Sequence, residues 1–290
     1  NTKMRDSSAI SMPTDRKEEL RERVSELTKI STIPSVLKKI IEVIEDKEST
    51  FADLEKVIER DQAIAARLVG ASNAAFYGFP RKICSISQAV LVLGFEMVKG
   101  LAISTAVFNG LSRQGFPWLK EMWCHSFEVA MASSMLAGHT GSVNKETAFM
   151  TGLLHDIGRP IFYQILGDGY AEVSCKSNID LPANEEEAFG ATHADVGAWF
   201  ADRCMFPHES VDAIRFHHSP ESHNAVANST ADMLVPIVYL ANIAAAESDG
   251  AIISSDHSRM MRKLNVSTAD LERIGMRLSE TREDIRSYFV

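Results

Sequence analysis

A chain of 290 residues, 45% of them apolar, carries enough hydrophobic mass for one large or two ordinary cores and reads as globular. Its net charge of −9 argues against a duplex nucleic acid or an anionic membrane as partner, since either needs a basic footprint. Cys84, Cys124, Cys175 and Cys204 lie far apart with no C-x-x-C pair, which fits reduced cytosolic thiols better than a disulfide frame or a structural zinc site.

The opening segment, "NTKMRDSSAISMPTDRKEEL", has no apolar run of the signal-peptide kind. Residues 1–16 are expected to be a flexible tail or linker, polar and rich in Ser and charge. From residue 17 the period is helical. Ile33, Val36, Leu37, Ile40, Ile41 and Ile44 fall on one face after Pro34, a favoured early-helix residue. Phe51, Leu54, Val57 and Ile58 repeat the pattern, followed by Ile64, Leu68 and Val69. "SNAAFYGFPR" then breaks the helix with Gly78 and Pro80, and its Phe76, Tyr77 and Phe79 form either a docking surface or a packed corner. Two more helices run through "SISQAVLVLG" and "EMVKGLAISTAVFNGL".

"SRQGFPW" at 112–118 marks a boundary, because Gly115 and Pro117 interrupt two helical patterns. Helices are expected near 119–137, 146–157, 184–204, 208–218 and 231–247, with Asn184 and Glu187 as a capping box for the third. The last stretch reads as one or two appended helices, with Ser267 capping "TADLERIGMRL". No strand alternation is convincing, so the fold class is all-α, divided into residues 1–16, 17–114, 115–250 and 251–290. The apolar run "LVPIVYLANIAAA" is too short to span a bilayer, which takes about 20 residues. The chain is expected to be cytoplasmic, with no membrane and no nucleic-acid partner.

The nine histidines are ordinary in number and informative in position. His125 lies on the stripe of Met122, Val129, Ala132 and Leu136; His193 goes with Phe189, Val196 and Phe200; His218, beside His217, follows Val211 and Ile214. His155 and Asp156 end the apolar run "TGLLHDIGRP", and Asn242 sits four residues after Val238. A single histidine on an apolar face is read first as a core side chain bonded to a backbone carbonyl. Five helices each sending an imidazole, a carboxylate or an amide inward argue for ligation. A mixed imidazole and carboxylate set suits Fe, Mn, Ni or Zn.

These residues carry a resemblance. "LLHDIGRPIF", with His125 upstream in "WCHSFEVA", resembles the H…HD…D pattern of the HD superfamily of metal-dependent phosphohydrolases. "IPSVLKKIIEVIEDKESTFADLEKVIERDQAIAARLVGASNAAFYG" followed by "SISQAVLVLG" is similar to the HDOD domain, an HD-related output module often fused to response-regulator or other signalling domains. The resemblance implies an N-terminal helical bundle packed on an HD-type bundle, and signalling proteins as partners. It places His125, His155 and Asp156 at the first three positions of the superfamily pattern. At the last, "LAN" puts Asn242 where an Asp is expected. His193 in "THADVG" and His217 and His218 in "FHHSP" match additional histidines of two-metal relatives, while the GYP motif of cyclic-dinucleotide phosphodiesterases is missing.

An amide carries no charge, so Asp156 is the only expected anion, and one divalent ion is expected rather than two. Asp156 and Arg159 are the candidate catalytic residues. Arg159 stands where relatives carry Lys, and is either a phosphate partner or a charge at a helix end. Two functions follow: an output module acting through protein contacts with a partly retained metal site, or a phosphohydrolase acting on a nucleotide or phosphodiester. A structural or sensing metal is a third. Other motifs are missing: no G-x-S-x-G, H-E-x-x-H or P-loop.

Overall fold

The computed structural model describes residues 13–27, 35–73, 83–114, 118–174, 181–224, 226–227, 229–247 and 257–287. Ile33, Pro34, the Phe76–Tyr77–Phe79 cluster, Gly115, Pro117 and Cys175 lie outside them, as do the first twelve residues of the expected tail. Among the described residues every extended element is a helix, as the 3.6-residue period predicts. None is long and apolar enough to cross a membrane.

The first bundle contains α2 (Ser35–Glu45), α3 (Phe51–Glu59), α4 (Gln62–Ser72), α5 (Ile86–Leu93) and α6 (Phe95–Gln114). Leu37, Ile40 and Ile41 of α2 face Leu54, Val57 and Ile58 of α3, all buried as their spacing predicts. Thr50 and Asp53 close a capping box at the start of α3. α6 is the axis of the molecule. Every residue from Met97 to Phe108 is buried, the mark of a helix covered on all sides. It packs on α2, α4 and α5 from one side and on the second bundle from the other. One apolar core therefore runs through both halves.

The second bundle is built from α7 (Leu119–Thr140), α8 (Lys145–Leu154), α9 (Gly158–Leu166), α10 (Asp168–Ser174), α11 (Leu181–Phe189), α12 (His193–Arg203), α13 (His208–Phe216) and α14 (Thr230–Glu247). α7 lies along α8 and α14, while α12 bridges α9 and α13. Two C-terminal helices, α15 (Ser258–Leu264) and α16 (Thr268–Ser287), are appended, and α16 rests on α7 and α14. Arg282 of α16 grips the buried Glu128 of α7 with two hydrogen bonds of 2.7 and 3.0 Å. Ser267 caps α16, its hydroxyl accepting from Asp270 N. The first helix, α1 (Pro13–Ser25), begins inside the segment expected as a tail and lies against α9, α11 and α12 of the second bundle.

Three local expectations are corrected. The single helix expected over 184–204 is two, α11 and α12, separated at Gly190, whose φ of +75° a side chain resists. The capping box is Thr192 with Asp195 at the start of α12, and Asn184 is inside α11. Thr192 has extended backbone and accepts from Asp195 N, satisfying donors that a continuous helix would not expose. Finally, α8 stops at Leu154, so His155 and Asp156 lie in the turn beyond it, and α9 and α10 fill a stretch where no helix was expected.

Candidate metal centre

The turn from α8 to α9 is compressed against α12. A Cβ added at Gly158 would lie 1.8 Å from the carbonyl oxygen of His193 and 2.7 Å from the amide nitrogen of Gly197. No side chain fits there. The glycine after the His-Asp pair thus lets the backbone carrying Asp156 reach the first turn of α12, where His193 projects.

The Asp156 carboxylate is the common point. Its Oδ1 lies 3.2 Å from His193 Nε2, 3.4 Å from His217 Nε2 and 3.7 Å from His155 Nε2. His218 Nε2 is 3.0 Å from His193 Nε2. Two ligands bonded to one ion at about 2.1 Å, at octahedral to tetrahedral angles, stand about 3.0–3.4 Å apart. Asp156, His193, His217 and His218 form one group with ligand atoms within 4.8 Å of one another, and His125, His155 and Asp156 form a second. The His125 and His155 rings meet edge to face at 5.3 Å, and Asn242 hydrogen-bonds His125. Six of the seven expected ligand positions therefore fall into two groups that share Asp156, and Asn242 stands beside His125.

The ring tautomers follow from the partners. His155 Nδ1 lies 2.8 Å from Gly152 O, His217 Nδ1 2.6 Å from Ile214 O, and His193 Nδ1 2.7 Å from Glu185 Oε2. Each acceptor holds a proton on Nδ1 and leaves Nε2 turned to Asp156, the outer-sphere pattern of metal-bound histidines. Nε2 of His155 and of His217 are buried and without a hydrogen-bond partner. Such orphaned atoms are costly unless something coordinates them. The core reading of these histidines accounts for Nδ1 of each ring and leaves Nε2 available for the ligand reading.

The electrostatics agree. Burial would raise the Asp156 carboxyl, yet His155, His193 and His217 hold it well below the usual carboxylate range. Burial pushes His155 down to about 3 and lowers His125. Burial would also lower His193, but Glu185 and then Asp156 draw it up to about 9. His218 is exposed as a residue, yet burial of its ring, with His217 and His193 beside it, lowers its pKa. A proton on His193 occupies the place that a cation would take.

Arg159 donates to Asp156 Oδ2 at 3.3 Å, so it is neither a free solvated charge nor a helix-end partner alone. Its Nε is buried and makes no hydrogen bond. A cavity of about 650 Å³ opens over the group, lined by His125, Asp156, Arg159, His193, His218 and Asn242 and, among its apolar residues, by Trp118, Met122 and Leu181.

Glu185 and Tyr170 were not expected. Glu185 is fully buried, accepts from His193 N and Nδ1 at 2.7 Å and from Tyr170 Oη at 2.8 Å, and backs the site with a second carboxylate. The run "NEEEAF" hides which glutamate turns inward. The signal was present, since Leu181, Glu185 and Phe189 recur every four residues on the core side of α11.

Comparison with known proteins gives the family and the fold. The HDOD domain model matches residues 30–220. A Shewanella amazonensis SB2B protein, provisionally named as a phosphohydrolase, superposes with a TM-score of 0.67 at 23% identity over 93% of this chain and 98% of its own. A Marinobacter aquaeolei VT8 protein, provisionally named for signal transduction, superposes with a TM-score of 0.65 at 21% identity over 95% of this chain and 64% of its own. At these identities the likeness is one of fold. An uncharacterized protein of Treponema pallidum (strain Nichols) is 26% identical over 73% of this chain, and the chain spans only 42% of that relative's length.

Proposed function

This chain belongs to the HDOD domain family, and we propose that its second bundle holds a divalent transition-metal centre that binds and hydrolyses a phosphate ester. The observation that carries the reading is the shared tautomer: three imidazoles tied back at Nδ1, with Nε2 turned to one carboxylate oxygen. Asp156, His193, His217 and His218 would hold the ion. His125 and His155, with Asn242 in place of a carboxylate, complete a weaker second group around Asp156. Glu185 adds its charge behind the first group, so one ion per chain is the expected occupancy.

When bound, such an ion supplies a Lewis acid for a phosphoryl oxygen and a water of lowered pKa. The chain's own groups do the rest. Arg159 is held by Asp156 and lines the cavity, so its guanidinium can receive a phosphate oxygen. Trp118, Met122 and Leu181 of the cavity lining offer apolar surface for the organic part of the ester. Glu185 keeps His193 in the ligating tautomer.

Metal analysis of protein purified without an affinity tag should find about one transition-metal ion per chain. Hydrolysis of bis(p-nitrophenyl) phosphate should fall to background in Asp156→Ala and His217→Ala. Metal-free protein, or turnover indifferent to Asp156→Ala, would remove this reading.

A second reading, output through protein contacts, is favoured by a separate observation. Leu91 is 85% exposed at the corner between α5 and α6, next to the half-exposed Val92 and Phe95, in a family whose resemblance implies signalling partners. Exposed apolar clusters of this kind mark contact sites. Leu91→Lys with Phe95→Ser should abolish partner output in cells while leaving metal content and hydrolysis intact. Unchanged output would remove this reading.

A further inference from the structure

We propose that Asp195 is a positioning residue of the metal centre, the junction at which α1 and α13 hold the start of α12 so that His193 meets His217 and His218. The inference rests on the metal-centre reading above and adds residues that do not touch the ion. Asp195 lies two residues after His193, and its side chain is 15% exposed. Its Oδ2 accepts from Thr192 N at 3.3 Å and from Thr192 Oγ1 at 3.4 Å, closing the capping box at the helix turn that carries His193. Such a box needs only a neutral acceptor.

The charge is used elsewhere. Lys17 Nζ of α1 lies 3.0 Å from Oδ2, and Arg215 Nη1 of α13 lies 3.7 Å from Oδ1. Arg215 is two residues before His217 on the last turn of α13. One carboxylate therefore ties together the two helix ends that supply His193 and the His217–His218 pair, which must keep His193 Nε2 3.0 Å from His218 Nε2 and 3.2 Å from Asp156 Oδ1, with His217 Nε2 3.4 Å from the same oxygen.

The third arm, α1, is itself anchored to the second bundle. Arg16 donates to Ala188 O at 3.2 Å, Arg23 donates to Ile165 O at 2.6 Å, and Leu20 and Val24 are buried. Lys17 thus reaches Asp195 from a fixed helix and not from a loose tail. Half-exposed ion pairs add little to stability. Their value here is placement, because a ligand displaced by about half an ångström loses its productive geometry.

The full chain, stripped of metal and titrated with Co²⁺, tests this through affinity and the visible ligand-field spectrum. Asp195→Asn keeps an oxygen for the Thr192 cap and removes the attraction for Lys17 and Arg215. Its Co²⁺ affinity should fall about tenfold or more, with an altered spectrum, and Asp195→Glu should recover part of the loss. Lys17→Gln and Arg215→Gln should each weaken binding less, and neither should add to Asp195→Asn, because partners of one junction are not additive.

If the parent binds Co²⁺ and Asp195→Asn binds it with the same affinity and spectrum, Asp195 is only a cap and the inference is overturned while the metal centre stands. A parent that binds no Co²⁺ overturns both. Should Asp195→Asn fail to fold, the pair Lys17→Gln and Arg215→Gln decides, since neither residue is buried. Affinity and spectrum unchanged in both would overturn the proposal.

Discussion

The two bundles bury different things. From α2 to α5, the described interior is aliphatic apart from Ser72, whose hydroxyl returns to Leu68 O. Between α8 and α13 the interior holds His155, Asp156, Glu185, His193 and His217, all nearly inaccessible. An aliphatic core needs no explanation beyond the hydrophobic effect. Buried imidazoles and carboxylates are unfavourable unless each is paired, and here two Nε2 atoms have no partner in the protein. The contrast separates a scaffold from a site, although both share one continuous core through α6.

The sharpest break of that comparison is at Gly158. Gly158→Ala forces a Cβ into the His193 carbonyl, which should displace α12, cost several kcal/mol by overpacking and backbone shift, and abolish metal binding. Leu54→Ala in the first bundle should cost about 2–5 kcal/mol through its cavity and leave metal stoichiometry unchanged. Thermal unfolding with metal analysis checks both, and a Gly158→Ala protein that retains its metal would show that the two backbones can part without disturbing the ligands.

The next effect is in pH. His193 is drawn up to about 9 from an ordinary 6.5. In metal-free protein this raised pKa gives stability that is complete below 6.5 and lost as pH rises through 9, roughly 3 kcal/mol in all. Metal must displace the same proton, so affinity should rise over that window while metal-free stability falls. Denaturant unfolding of stripped protein and metal titration between pH 6 and 9 should give slopes of opposite sign. A flat metal-free profile would mean that His193 is neutral.

Smallest is Glu185→Gln, which retains an acceptor for Tyr170 but removes the anion behind His193. Metal affinity should drop about 10- to 100-fold, as for other outer-sphere partners, and the His193 pKa should fall. Histidine NMR titration of stripped protein checks the second outcome, and calorimetric metal titration the first.

Much of this was legible in the sequence because helical periodicity is local. Stripes such as Leu54, Val57 and Ile58 need only their neighbours to declare a face. The same logic put His125, His193 and Asn242 on inward faces and, applied to Leu181 and Phe189, would have found Glu185. The break at Gly190 escaped because an apolar period continues across it, and only the capping geometry of Thr192 shows where one helix ends and the next begins.

What the sequence by itself determined, then, is the helical class, the interior faces and the residue types available for ligation. The tertiary structure decided which nitrogen of each ring faces the centre, which carboxylate stands behind His193, and why Gly158 follows the His-Asp pair. Those depend on contacts between segments far apart in the chain, such as Asp156 with His217 or Lys17 with Asp195. Their geometry is set by how helices pack, and periodicity says which face is buried without saying what it meets.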